Sequence, residues 1–194
     1  MKTKLITLPN PHLRQRSKKI GYIGDDVVAL IEDMKASTLE WEDSREHEVG
    51  VALAAIQIDR PYRVVIIRND FDDKNNRDFR GFINPEITKY EGQLYEDYEG
   101  CLSIRDVYGK VPRHERVRVK ALDENGHEFR ITAEGFLARV LQHEIDHTNG
   151  IVFIDHIKDD SAAFFTLTKD GKLVPKDYEM EIVGNEDLWG ESEA

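Results

Sequence analysis

The hydrophobic pattern of the chain first predicts an amphipathic helix near the N-terminus. From Asp25 onward, mostly apolar side chains recur at intervals of three and four residues, which places them on one face of a helix. These positions are Val27, Leu30, Ile31, Met34 and Thr38. The charged residues that follow, at positions 40–48, are predicted to form an exposed loop.

Most of the remaining pattern is typical of strands. Apolar runs predict strands at residues 5–8, 50–58, 63–67 and 81–87, with a polar loop at 69–80. Residues 116–121 alternate strictly between basic and apolar side chains, as a half-buried strand does. Asn125-Gly126 then predicts a hairpin turn, with the return strand at 127–132. This order of elements predicts an α+β fold of mostly antiparallel strands packed around one central helix.

The central helix is predicted between Thr132, a suitable N-cap, and Asn149-Gly150, a helix stop. Apolar residues occupy nearly its whole circumference, so the helix is expected to be buried. They are Phe136, Leu137, Ala138, Val140, Leu141 and Ile145.

The same helix contains two histidines that can bind one metal ion together. His143 and His147 are four residues apart and therefore lie one above the other, with about 5–6 Å between their Cβ atoms. Glu144 between them is placed to act on a metal-bound water. Metal coordination would give partners to buried polar groups, which are costly without them. The alternative is a pair of core histidines that hydrogen-bond within the protein, beside a solvated glutamate.

Two histidines leave a catalytic metal site incomplete, because such sites take three protein ligands and keep one position for water. The zinc-protease pattern would put a third histidine at position 153, which is Phe153. Cys101 is the better candidate, since a thiolate binds soft or borderline divalent ions strongly and the adjacent Gly100 suits a close backbone approach. Other conceivable ligands are Glu179, Glu181, His156 and His127.

Length, net charge and cysteine count exclude some classes of function for this chain. The chain of 194 residues can form one domain with its own core, alone or with a tail. A formal net charge of −11 argues against a nucleic-acid groove or an anionic membrane as the main partner. No apolar run is long enough to span a bilayer. The single cysteine excludes an internal disulfide and fits a reducing cytoplasm, where we expect the protein to act.

Three motifs together resemble those of the peptide deformylase family. Residues 99–103 (EGCLS) and 143–147 (HEIDH) are similar to the second and third motifs of that family, and residues 50–57 resemble the first. All three stand in the order of the family, and the likeness covers most of the chain before the tail. The resemblance implies a catalytic domain over residues 1–158, with residues 159–194 as an acidic C-terminal extension of the same domain.

The resemblance also implies an activity and a set of site residues. The protein would remove the formyl group from the N-terminal formyl-methionine of nascent polypeptides and release formate. One divalent metal ion, expected to be Fe²⁺ with Zn²⁺, Ni²⁺ or Co²⁺ as substitutes, would be held by Cys101, His143 and His147. Glu144 would take a proton from the attacking water and pass it to the departing amine. The Gln57 carboxamide and the Leu102 backbone N–H would stabilise the developing oxyanion.

The substrate needs an apolar pocket for methionine and a partner for its backbone. Val51, Phe136 and Val140 are the candidates for the pocket. A strand edge for the peptide backbone would be formed by Gly50, Val51, Ala52 and Leu53. Three charged residues near the motifs would orient the ligands or pair with one another, namely Glu99, Arg113 and Asp146.

Three positions depart from the pattern of the family. Ala52 replaces a glycine, which matters if the position has a positive φ or must approach substrate closely, and is harmless in an ordinary β conformation. Ile56 stands where proline or a small residue is frequent, and Arg105 where proline is common. None of these changes removes a ligand, the base or an oxyanion donor, so catalysis is expected.

Two other functions stay open at this point. A metalloprotease would share the paired histidines, although Phe153 argues against it. A non-catalytic formyl-peptide-binding module is suggested only by the altered first motif. The expected partners are the formyl-methionyl N-termini of nascent chains. A transient ribosome contact is left open because the tail lacks basic character, and neither a direct nucleic-acid site nor a membrane contact is expected.

Overall fold

The computed structural model describes residues 4–45, 48–71, 73 and 75–190, which form a seven-stranded antiparallel sheet with a long helix on each face. The helices are α1 (Asp25–Asp43), α2 (Gly135–Thr148) and the short α3 (Glu186–Trp189). The strands are β1 (Ala52–Ala54), β2 (Val64–Arg68), β3 (Phe79–Cys101), β4 (Ile104–Leu122), β5 (Glu128–Glu134), β6 (Phe164–Leu167) and β7 (Leu173–Pro175). Single helical turns are found at Pro11–Arg14, Ala55–Ile58, Phe153–His156 and Tyr178–Ile182. Within the described residues, no helix is long and apolar enough to cross a membrane.

Strand β2 is buried on both faces and separates the core into two layers. Successive side chains of a strand point to opposite faces. Val65 and Ile67 therefore pack toward α2, whereas Val64 and Ile66 pack toward α1. The antiparallel sheet with few helices confirms the predicted α+β class, although the sheet lies between two helices rather than around one. The apolar face predicted for α1 is also confirmed, because all five of its residues are buried.

Strands β3 and β4 form a hairpin far longer than the predicted strands at 81–87 and 116–121. If straight, the 23 residues of β3 would extend roughly 75 Å. Four shifts in register, the last between Glu99 and Cys101, interrupt the ladder between the two strands. Such irregularities bend a strand and increase its twist. The middle of β3 is mostly exposed, so it lacks the apolar alternation that would have joined its two ends in the sequence pattern.

The start of α1 at Asp25 and the end of α2 before Asn149 are found as predicted, but the other end of each helix was predicted wrongly. Helix α2 begins at Gly135 rather than near Thr132, because residues 128–134 pair with β4 as strand β5. Helix α1 continues to Asp43, into the predicted loop at 40–48, because Glu42 is buried in a salt bridge with Arg68. Residues 46 and 47 of that predicted loop lie outside the described residues.

Two predicted strands near the N-terminus are also corrected. Residues 5–8 form no strand and are held by isolated bonds, in which Ile6 N–H donates to the Gln57 carbonyl and Leu8 N–H to the Ser103 carbonyl. The predicted strand at 50–58 is reduced to β1, and a helical turn at Ala55–Ile58 follows it. By contrast, β2 and the turn at Asn125-Gly126 are found as predicted.

The segment after residue 157 packs against the sheet. Strand β6 pairs with β4, and β7 pairs with β6. Phe164, Ile182 and Leu188 share a buried cluster with Phe153 and Ile154 of the preceding helical turn. Although this segment is mostly polar in composition, a few buried apolar side chains hold it against the rest of the protein.

Gly109 tests how tightly β4 packs against the helical turn at Phe153–His156 and the residue after it. A Cβ atom at Gly109 would lie 2.5 Å from Ile157 Cδ1 and 2.7 Å from Phe153 Cε2. We expect Gly109→Ala to lower the free energy of unfolding by about 1–3 kcal/mol through overpacking, measured by urea denaturation. Gly21→Ala is the control, because nothing lies within 4 Å of the added atom. Equal stability of the two variants would contradict this packing.

Candidate metal centre and active site

The fold brings Cys101 at the end of β3 against two histidines of α2. Cys101 Sγ lies 3.2 Å from His147 Nε2, although the two residues are 46 positions apart in sequence. With the imidazole of His143, the three candidate ligand atoms all lie within 4.8 Å of one another. Among the described residues, this is the group of histidine, cysteine and carboxylate side chains that converges closely enough to hold a metal ion.

The chemistry of these donors fits one divalent transition-metal ion. A thiolate and two imidazoles are suited to borderline ions such as Fe²⁺, Zn²⁺, Ni²⁺ and Co²⁺. The pKa of His147 lies well below its ordinary value, mainly because the side chain is buried and secondly because His143 is close. The His147 imidazole is therefore neutral. His143 Nδ1 lies 2.9 Å from a Glu99 oxygen, so an Nδ1–H held by this carboxylate would leave Nε2 to a bound metal ion.

The other ligands considered from the sequence lie elsewhere. Phe153 is buried and stacks on His143 with 6.0 Å between ring centroids. His156 Nε2 is 2.7 Å from an Asp146 oxygen, and the side chain of His127 is 80% exposed. Glu179 and Glu181 belong to the helical turn at Tyr178–Ile182, on the C-terminal segment.

Glu99 connects His143, one of the candidate metal ligands, to two buried arginines. Its carboxylate accepts bonds from Arg113 at 2.9 and 3.1 Å and from Arg139 at 2.8 Å, in addition to its contact with His143. Burial opposes ionisation of Glu99, but the bonds from His143 and Arg113 outweigh it and hold its pKa below the ordinary value. Arg113 also donates to Asp146 at 2.5 Å. The three charged residues predicted near the motifs are thus joined in one network.

Arg139 was missed in the sequence analysis. Its guanidinium is buried and also donates to the backbone carbonyls of Val111 and Tyr95, at 2.7 and 2.9 Å. The available signal was its position four residues before His143, which puts both side chains on the same face of α2. An arginine within an apolar helix requires a buried anion, and Glu99 is that anion.

Glu144 and Gln57 border the same site from two different elements. Burial raises the pKa of Glu144 to about 7, and its Oε2 atom has no hydrogen-bond partner among the described residues. Gln57 lies in the helical turn after β1, where its Oε1 accepts from Ala54 N–H at 2.8 Å. This bond leaves the Gln57 amide group to donate to Ser103 Oγ at 3.1 Å and to Cys101 Sγ at 3.4 Å.

A cavity of about 520 Å³ opens on these residues. Five buried or half-buried residues form the part of its wall that we call the inner end, namely Gln57, Cys101, Leu102, His143 and Glu144. Of the predicted substrate-binding residues, it is also lined by Val51, Ala52, Phe136 and Val140. Phe136 was expected to be buried, but it is 47% exposed and stacks edge to face on Phe71. Phe136 is exposed because it lies on the side of α2 that faces the cavity.

Gly50 and Leu53 are not among the described residues that line the cavity. The Leu53 side chain is fully buried in the layer next to α1, on the opposite face of the sheet. Gly50 N–H donates to Glu42, and its carbonyl accepts from Arg68 Nε at 3.1 Å. Gly50 therefore already has partners for both backbone groups, and the Leu53 side chain cannot reach a substrate in the cavity.

The three departures from the pattern are accommodated by the structure. Ala52 lies in β1 and is not among the described residues with positive φ, so a methyl group there causes no backbone strain. Ile56 is buried in the layer next to α2. Arg105 is exposed on β4.

Comparison with known proteins decides the family. A sequence model described as polypeptide deformylase matches residues 2–163. The chain belongs to the polypeptide deformylase family. A peptide deformylase from Mesorhizobium japonicum is 43% identical over 178 residues, which cover 88% of this chain and 97% of that protein. Another from Brachyspira hyodysenteriae is 41% identical over 160 residues, covering 81% and 82%.

Solved deformylase structures share the fold as well. The enzyme from Legionella pneumophila aligns with a TM-score of 0.70 at 38% identity, over 80% of this chain and 86% of that one. The enzyme from Synechococcus elongatus in complex with actinonin aligns with a TM-score of 0.69 at 36% identity, over 78% and 76%. This deformylase is therefore a hydrolase that removes the N-formyl group of nascent polypeptides, and it belongs to a metal-dependent family.

Removal of Glu99 should destabilise the deformylase strongly. Glu99→Ala leaves the buried Arg113 and Arg139 without the carboxylate they share, so we expect the free energy of unfolding to fall by about 3–5 kcal/mol. Glu96→Ala is the control, because its exposed side chain only approaches Lys110 at 3.6 Å. That control should change stability by less than about 1 kcal/mol. Urea denaturation of both variants measures the difference, and a small loss for Glu99→Ala would contradict the network.

Proposed function

We propose that Cys101, His143 and His147 hold one divalent metal ion, and that Glu144 and Gln57 perform the hydrolysis of the formyl group beside it. The observation that supports this assignment is the convergence of one sulfur and two imidazoles within 4.8 Å, with Cys101 and His143 on the wall of the cavity. The ion is proposed to be Fe²⁺, as is typical of the family, with Zn²⁺, Ni²⁺ or Co²⁺ as substitutes. When bound, such an ion lowers the pKa of water and polarises a carbonyl oxygen.

Glu144 is proposed to carry the proton through the reaction. Its Oε2 atom, which lacks a hydrogen-bond partner in the described part of the chain, accepts a proton from the attacking water as the oxygen adds to the formyl carbon. The same carboxyl group then donates that proton to the peptide nitrogen as the bond to the formyl carbon breaks. Formate and a free amino terminus are the products. A pKa of about 7 suits both the acceptance and the donation of the proton.

Gln57 is proposed to stabilise the negative charge that develops on the formyl oxygen. Its carboxamide is oriented by the bond from Ala54 N–H, so the amide group points toward Cys101 Sγ rather than away from it. A donor that is already oriented needs no reorganisation when the charge appears. The backbone N–H of Leu102, next to Cys101 in the chain, is proposed as the second donor.

The cavity is proposed to bind the formyl-methionyl end of the peptide. Val51, Phe136 and Val140 form an apolar surface for the methionine side chain. Arg68 N–H donates to the Val51 carbonyl, so the pairing alternation of an antiparallel ladder turns the N–H and C=O of Ala52 away from β2. Ala52 is therefore the residue of β1 that we propose for pairing with the substrate backbone.

The cellular location of the reaction and its partners are also proposals. The substrates are nascent chains, and a single cysteine fits the cytoplasm. Contact with the ribosome, if made, would be transient, since the formal net charge of −11 disfavours a lasting site on RNA. Residues 1–158 are proposed as the catalytic domain and residues 159–194 as an extension of it.

Glu144→Ala should abolish the release of formate from a formyl-methionyl peptide while metal content is retained. The variant removes the proton carrier but none of the three ligands. Activity is measured as formate produced by protein purified anaerobically with Fe²⁺, and metal content by elemental analysis. Glu134→Ala, a change of an exposed carboxylate at the start of the same helix, is the control and should keep full activity. Comparable turnover of Glu144→Ala would exclude the proposed base.

Cys101→Ser should lower the affinity for the metal ion, because an alcohol is a much poorer ligand for borderline ions than a thiolate. We expect sub-stoichiometric metal after dialysis against a weak chelator, under conditions in which Glu144→Ala keeps one ion per chain. Unchanged metal content in the serine variant would rule out the thiolate as a ligand, whatever its activity.

A further inference from the structure

The hairpin of β6 and β7 begins where the match to the deformylase family ends. The family match stops at residue 163, and β6 starts at Phe164. The hairpin is joined to the body of the sheet by pairing of Phe165 with Tyr108 and of Phe164 with Gly109. It is therefore attached to the edge of β4, beyond the part of the chain that the family model covers.

One face of this hairpin lines the cavity. Leu167 and Leu173 are direct cross-strand partners, so their side chains lie on the same face of the hairpin. Both line the cavity, together with Gly171 in the turn between the strands. Thr166 and Val174 form the preceding cross-strand pair and point to the opposite face, where Val174 is 38% exposed.

Aromatic contacts hold the hairpin at the cavity. Phe165 stacks edge to face on Tyr98 with 5.0 Å between ring centroids, and Tyr98 lines the cavity. Tyr108, the strand partner of Phe165, also lines the cavity and donates its hydroxyl to Glu48. The Tyr108 ring packs where Gly100 has no side chain, since a Cβ there would lie 2.6 Å from Tyr108 Cε1. The hairpin is thus connected by direct packing to the backbone next to Cys101.

The position of the two leucines determines what they can contact. The reacting formyl group must lie beside Cys101 and Glu144, at the inner end of the cavity. A cavity of about 520 Å³ is in the range that encloses a drug-sized ligand, which leaves room for residues beyond the formyl-methionine. Leu167 and Leu173 offer apolar surface only, and a charged side chain placed against them would lose hydration without gaining a partner.

We infer that the β6–β7 hairpin is a specificity wall, in which Leu167 and Leu173 contact the side chains that follow the N-terminal methionine and favour apolar ones. The inference rests on the proposed function, because it takes the inner end of the cavity as the place of formyl hydrolysis. The ligand it implies is a formyl-methionyl peptide with an apolar residue at the second or third position.

The first test compares two peptides of equal length, formyl-Met-Leu-Leu-Ala and formyl-Met-Ala-Ala-Ala. We expect the double variant Leu167→Ala/Leu173→Ala to lower kcat/KM for the leucine peptide by about tenfold, mainly through KM, and for the alanine peptide by less than about twofold. The control is Thr166→Ala/Val174→Ala, which truncates the opposite face of the same hairpin. It should leave the ratio of the two kcat/KM values unchanged.

The second test introduces a new preference, for acidic side chains, at the same position of the hairpin. Leu173→Lys should shift the ratio of kcat/KM between formyl-Met-Glu-Glu-Ala and formyl-Met-Lys-Lys-Ala toward the acidic peptide by about threefold, the size of a half-exposed ion pair. Val174→Lys adds the same charge to the face directed away from the cavity and should shift the ratio less. Because each ratio is measured within one variant, a loss of folded protein does not alter it.

The outcomes separate this inference from the proposed function. If the wild-type protein releases no formate from any of these peptides, both are overturned. If the wild-type protein is active but the leucine double variant keeps the wild-type ratio, the specificity wall alone is overturned. The same conclusion follows if Leu173→Lys and Val174→Lys give equal shifts.

Discussion

The geometry of the site depends on the hydrogen bonds and ion pairs of one buried carboxylate, that of Glu99. It accepts hydrogen bonds from Arg113 on β4, Arg139 on α2 and the His143 imidazole. A charge in a protein interior is tolerated only when it is paired and its hydrogen bonds are satisfied. The long β3–β4 hairpin and α2 are thereby held against each other at the point where Cys101 meets the histidines. The same carboxylate sets which nitrogen of His143 faces Cys101.

A second buried pair has a comparable role at the other side of the cavity. Glu42 of α1 and Arg68 of β2 are almost fully buried together, and both bind the backbone of Gly50. Gly50 also packs where a Cβ atom would lie 2.5 Å from Thr38 Cγ2. These contacts fix the chain just before Val51 and Ala52, which line the cavity. The cavity is therefore bounded by two segments that are positioned by buried charges.

The C-terminal segment contributes to the cavity through strand pairing at one end of β4. Strand β4 pairs with β5 near one end and with β6 near the other, and the β6–β7 hairpin lines the cavity that α2 also lines. The proposed metal ligands and Glu144 come from the part of the chain that the family match covers. The outer wall of the cavity, in contrast, includes residues beyond that match, such as Leu167 and Leu173. The residues proposed for formyl hydrolysis and those proposed to select the peptide therefore lie in different parts of the sequence.

The sequence by itself determined those features whose physical cause is local. The apolar spacing of α1, the β-branched run of β2 and the Asn-Gly turn each depend on residues a few positions apart, and each is found as predicted. The spacing of His143 and His147 also follows from helix geometry alone. The motif resemblance led to the family, which the comparisons confirm.

Only the tertiary structure decided features that depend on partners distant in sequence. Glu42 belongs to a charged run and was expected to be exposed, but its partner Arg68 lies 26 positions later. Arg139 and Glu99 are separated by 40 positions, and neither residue type indicates the other. The approach of Cys101 to His147, like the position of the hairpin at the cavity, depends on how the bent β3–β4 hairpin crosses α2. That geometry results from the packing of the whole core, because strand pairing and buried charge compensation act between elements rather than within them.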